Sequence, residues 1–101
     1  MSASHGVTHV VLVRWAPTTP SDVRESIRAT ARSLATEIPG ISRLVEGPSV
    51  SPENLEQGFD YALVIEFVDS EARDNYLPHP AHLPLAEKLG QHSESVVVFD
   101  V

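Results

Sequence analysis

The chain contains no cysteine, which excludes a disulfide framework, a thiolate nucleophile and a zinc site built on sulfur. Positive charge is scarce as well. Seven basic side chains stand against fourteen acidic ones, for a formal net charge of -7, so phosphate backbones and anionic membrane surfaces are poor partners. Neither nucleic acid nor a membrane is expected to bind. No apolar run approaches the length of a membrane span, and Met1-Ser2-Ala3-Ser4-His5-Gly6 lacks the basic and apolar regions of a secretion signal. A soluble, cytoplasmic protein is the expectation. No serine sits in a Gly-x-Ser-x-Gly elbow, and Gly47, Gly58 and Gly90 are too dispersed to cradle a phosphate.

What is present is hydrophobic patterning. At 101 residues and 42% hydrophobic content the chain, residues 1–101, reads as one domain with a modest core. Val7 to Trp15 is densely β-branched, with His9, Val11, Val13 and Trp15 on one side and Val10 and Leu12 on the other. Thr19 offers an N-cap with Pro20 at the first helical position, and Val23, Ile27, Ala31, Leu34 and Ile38 then recur at helical spacing until Pro39-Gly40. Ile41 to Gly47 reads as a second strand. Ser51-Pro52-Glu53 predicts a single helical turn, and Phe59 to Val68 a third strand with Tyr61, Leu63, Ile65 and Phe67 on one side. Ser70 can cap a short helix that Pro78 ends; a further helix carries Leu85 and Leu89 to about Gly90, and Val96 to Val101 closes the chain as a strand.

This order predicts an α+β fold: a ferredoxin-like, antiparallel four-stranded sheet with helices on one face. The first, third and last strands are apolar on both sides, so the second sheet face needs cover. A homodimer that packs two sheets together as a dimeric α+β barrel supplies it.

Titratable groups gather in Tyr76-Leu77-Pro78-His79-Pro80-Ala81-His82. His82 can serve as a general base alpha to a carbonyl, with Tyr76 hydrogen-bonding the oxygen that becomes an enolate. The same turn can equally be structural, with Tyr76 packed under the helices and His79 capping. If the side of the strand carrying His9 faces the helices, His9 shares a cavity with Tyr61, Leu63 and Ile65; otherwise it is a hydrogen-bonded core residue. His79 and His82 lack the helical spacing of a zinc motif, so no metal is expected.

Five segments in order resemble the stress-responsive α/β-barrel family. They are Thr8-His9-Val10-Val11-Leu12, Ile38-Pro39-Gly40-Ile41, Gly58-Phe59-Asp60-Tyr61-Ala62-Leu63, the Tyr76 to His82 turn, and Val98-Phe99-Asp100. The resemblance implies a ferredoxin-like protomer in a barrel-forming homodimer with a small apolar pocket in each protomer. It also implies cofactor-free proton chemistry like that of a polyketide cyclase, with Tyr76 and His82 catalytic. His9, Tyr61, Val11, Leu63 and Ile65 would contact a small aromatic or polyketide-like ligand. Tyr61 stands where the family's cyclase carries a further pocket histidine, so a phenol of higher reference pKa replaces an imidazole. Two alternatives stand beside this reading: a non-catalytic, stress-related structural or ligand-binding dimer whose pocket Trp15, Phe59, Phe67 and Phe99 fill, and a cofactor-independent oxygenase of the same architecture.

Overall fold

The computed structural model describes residues 5–101. The reading of the opening segment as free of an export signal falls largely on residues 1–4, outside the described residues. Strand β1 (Val7–Trp15) leads into α1 (Ser21–Glu37), then β2 (Ile41–Gly47), β3 (Tyr61–Phe67), α2 (Ser70–Tyr76), α3 (Leu83–His92) and β4 (Ser93–Asp100). The sheet order is β2-β3-β1-β4 with every pair antiparallel, the ferredoxin-like arrangement. β1 and β3 lie at the centre because they carry the densest apolar alternation.

Side-chain parity sorts the two faces. His9, Val11, Val13 and Trp15 of β1 and Tyr61, Leu63, Ile65 and Phe67 of β3 are all buried against the helices. Ile27, Ala31 and Leu34, three or four residues apart, form the buried stripe of α1, and Leu85 and Leu89 that of α3. Burying each large aliphatic side chain contributes about 1.5–3 kcal/mol, so this single cluster supplies most of the drive to fold.

On the opposite face Val45, Val64, Val10 and Phe99 stand in one row across the paired strands, and Ala62, Leu12 and Val97 in the next. Among the described residues no helix covers them. Val97 is 40% exposed and Phe99 64% exposed.

Several local expectations are corrected. Pro20, rather than Thr19, takes the N-cap position of α1, because the Thr19 hydroxyl donates to the His92 carbonyl at 3.1 Å and ties the start of α1 to the end of α3. Asp69, one residue before Ser70, caps α2 by accepting from the Ala72 amide at 2.8 Å. Ser51 to Glu53 forms turns and no helix; Asn54 and Gln57 adopt φ values of 59° and 58°, which interrupt a right-handed helix. β3 begins at Tyr61 instead of Phe59, since the Phe59 amide closes a turn onto the Glu56 carbonyl at 3.1 Å. Phe59 and Phe99 lie outside the core; only Trp15 and Phe67 of the four aromatic residues expected to fill a pocket are in it.

Candidate active site

The turn between α2 and α3 positions the titratable groups. Pro78 and Pro80 have no amide hydrogen, so the chain there cannot continue a helical ladder and closes on other donors. The His79 amide donates to the Tyr76 carbonyl at 3.0 Å, the His82 amide to the His79 carbonyl at 2.9 Å, and the Ala81 amide to His79 Nδ1 at 3.0 Å. His79 is thereby committed to holding the turn.

His82 Nδ1 lies 2.9 Å from the Leu77 carbonyl oxygen. A carbonyl only accepts, so Nδ1 carries the hydrogen and Nε2 of the neutral ring keeps its lone pair. Burial lowers the His82 pKa below its ordinary 6.5, and the nearby His9 lowers it further, against the opposing pull of the Leu77 bond. His82 is a neutral base at pH 7.

Tyr76, the last residue of α2, is 1% exposed, with its ring centroid 4.2 Å from that of His82 and 5.7 Å from that of His9. Burial raises its phenol pKa well above the ordinary 10.0, so the hydroxyl stays protonated and can donate. His9 is buried, with Nδ1 2.6 Å from Asp100 Oδ1, and Asp100 Oδ2 receives Arg73 Nη1 at 2.5 Å. Burial alone would raise the Asp100 pKa; the bonds from Arg73 and His9 outweigh it and hold the carboxyl below the ordinary 3.8. An ionised Asp100 only accepts, so His9 Nδ1 also carries its hydrogen.

His9, Tyr76 and His82 are thus brought together from β1, α2 and the α2–α3 turn. Val11, Leu63 and Ile65 are packed in the core beneath, each at most 6% exposed. Tyr61 is not brought to the cluster. It pairs with Val13 while His9 pairs with Ile65, a separation of four strand residues or about 13 Å, and its ring stacks on Trp15 with centroids 5.4 Å apart. Clefts of 260–520 Å³ open on the surface of the described residues, and these are lined by side chains other than His9, Tyr76 and His82. Among the described residues no three His, Asp or Glu side chains converge as a metal site would require.

Two groups of residues escaped the sequence. Arg73 and Asp100 orient His9 from 27 residues apart, and the only hint was an acid ending an apolar strand. Glu46 receives Arg28 Nε and Arg32 Nη1, both at 2.9 Å, and binds β2 to α1; an acid on the same side of the strand as Leu44 was its only signal.

Residues 7–101 match the family model of the stress responsive A/B barrel domain. The Arabidopsis thaliana stress-response A/B barrel domain-containing protein HS1 is 32% identical over 95 residues, covering 93% of this chain and 86% of that protein. Olivetolic acid cyclase from Cannabis sativa is 23% identical over 94 residues, 93% of each chain. Among solved structures, hydroxynitrile lyase from Passiflora edulis superposes with a TM-score of 0.88 at 22% identity, covering 96% of this chain and 92% of that one. A dimeric ferredoxin-like protein from Jannaschia sp. CCS1 gives 0.86 at 24% identity, covering 96% and 98%. At those identities the two structures speak for the fold, while the model match along nearly the whole length speaks for descent: the chain belongs to the stress responsive A/B barrel domain family.

Proposed function

We propose that this protein is a homodimeric A/B barrel that binds a small aromatic or polyketide-like carbonyl compound beside Tyr76 and His82 and moves a proton on it without a cofactor. The observation that carries this reading is the tautomer of His82. Its Nδ1 hydrogen is held by the Leu77 carbonyl, so the Nε2 lone pair is free next to a phenol that burial keeps protonated. In the reaction Nε2 takes a proton from the carbon alpha to a carbonyl, and the bonding pair moves onto the carbonyl oxygen. The Tyr76 hydroxyl donates to that oxygen, the enolate carbon attacks a second carbonyl, and the proton passes from Nε2 to the new alkoxide. His9, fixed by Asp100, adds a second imidazole against the Tyr76 ring.

The relatives support this class of chemistry, since one is named as a cyclase and another as a hydroxynitrile lyase. The homodimer is supported by the uncovered apolar sheet face and by neighbours described as dimeric.

A second reading, a ligand-free structural dimer, draws on the 1% exposure of Tyr76 and the filled core around Val11, Leu63 and Ile65. Deuterium exchange at the alpha carbon of a 1,3-diketone, with a linear polyketide thioester tested for ring closure, separates the two. Wild type is expected to catalyse both, and His82→Ala to be slower by roughly 100-fold or more, the usual worth of a general base. Equal rates in wild type and His82→Ala, together with a lower melting temperature for the variant, favour the structural dimer.

A further inference from the structure

Residues 48–60, between β2 and β3, run past one end of the outer sheet face and close a cleft of 280 Å³ there. Leu12 and Ala62 of the sheet, with Leu55 and Phe59 of the segment, give it apolar walls. The polar side chains at its rim are bonded to each other, since the Ser49 hydroxyl donates to the Glu56 carboxylate. Tyr61 borders it by its backbone, with the ring turned to the helix side. The segment is also fastened down. The Phe59 amide closes on the Glu56 carbonyl at 3.1 Å, and Arg14 Nη2 donates to the Gln57 carbonyl at 2.9 Å while its guanidinium carbon lies 5.0 Å from the centroid of the Phe59 ring. The cleft is therefore built before anything enters it, and its occupant must be apolar.

Phe99 is the largest apolar side chain left exposed on the same sheet face. It cannot fill the cleft of its own protomer, because it pairs with Val10, two residues along β1 from Leu12, and stands on the strand beyond β1. We propose that each cleft receives Phe99 of a second copy of this chain, so that residues 48–60 form the socket of the dimer. This rests on the homodimer proposed above and adds what locks it. Three observations favour that occupant. The cleft is continuous with the uncovered face, since Leu12 and Ala62 belong to both. Its volume lies just under the roughly 300 Å³ at which drug-sized sites begin, so one aromatic side chain suits it. The symmetry also closes. From the cleft, between β3 and β1, to Phe99 on β4 is about 5–10 Å across the strands and about 7 Å along them. A two-fold axis that exchanges the two points bisects this diagonal, so it runs obliquely to the strands and turns the partner's sheet by about 90°, one of the two stable ways for sheets to pack.

The chain has no cysteine, so introduced thiols report proximity without interference. Leu55→Cys and Phe99→Cys, each in the full chain, are co-expressed with tags of different length and treated with a short bis-maleimide. A covalent product joining the two unlike chains is expected. Val45→Cys in place of Phe99→Cys is expected to give none, because Val45 lies at the far edge of the same face, on β2. Phe99→Ser should weaken the dimer by about tenfold or more in sedimentation, as loss of a pocket-seated aromatic anchor does. A wild type that sediments as a dimer but yields no Leu55–Phe99 product overturns the socket and leaves the dimer standing. Equal linking through Val45→Cys, or a Phe99→Ser dimer as tight as wild type, overturns it too. A monomeric wild type removes the dimer and the socket together.

Discussion

At His82 the decisive quantity is the proton count on one ring. Burial holds its pKa below the ordinary 6.5, so between that folded value and 6.5 the unfolded chain binds more protons than the native one. Stability therefore rises with pH across this window and is lost as pH falls below 6.5. The proton-transfer rate follows the neutral imidazole, with an acid limb centred below 6.5 and a plateau through neutrality. A pH series of diketone exchange, run beside thermal melts of wild type and His82→Ala, checks both: the variant's melting temperature should lose its dependence on pH in that window. A rate limb centred above 6.5 would contradict the burial of the ring. Tyr76 and His82 were legible as a pair because a seven-residue turn holds both. The His9–Asp100–Arg73 chain was not, because its members come from β1, β4 and α2 and meet only through strand register and helix placement. The distance of Tyr61 from the His9–Tyr76–His82 cluster was hidden for a related reason. Parity put the residue correctly on the inner face, but parity says nothing about position along the strand, and register sets it beside Trp15.

The elements themselves were read from periodicity, and the caps of α1 and α2 moved where a side chain was engaged elsewhere. Thr19 is an ordinary N-cap residue until its hydroxyl meets the His92 carbonyl, and Asp69 displaces Ser70 because its carboxylate reaches the Ala72 amide. Neither partner is visible from local sequence. The junction of α1 and β2 shows the tightest constraint. Gly40 has φ +89°, and a Cβ placed there would stand 2.6 Å from the Ala72 Cβ of α2. Gly40→Ala combines a left-handed backbone with an overlap that α2 must move to relieve, and is expected to cost about 2–3 kcal/mol. Asp69→Ala removes only the cap of the same helix, a loss of about 1 kcal/mol. Urea melts should rank the two in that order; equal effects would mean that α2 yields readily at Ala72.

For the whole molecule the governing fact is its thinness. The protomer measures 49 × 33 × 18 Å, one sheet and one helical layer, so the second face of the sheet has nothing to pack on among the described residues. That face carries Val10, Leu12, Val64, Val97 and Phe99. A stable interface needs about 800 Å² from each partner, and the broad face of such a slab can provide it. In the proposed dimer two of these faces meet, and the deficit of core inherent in a chain of 101 residues is made up by the partner. The substitution Val97→Glu places a charge in the middle of that contact while leaving the helix-side core untouched, since Val97 pairs with Leu12 on the outer face. Wild type is expected to sediment as a dimer at micromolar concentration. Val97→Glu should shift it to monomer and lower its melting temperature, and raising the protein concentration should partly restore both. A wild type that sediments as a monomer at that concentration, with Val97→Glu equally stable, would leave the apolar face without its partner and remove the barrel from the proposal.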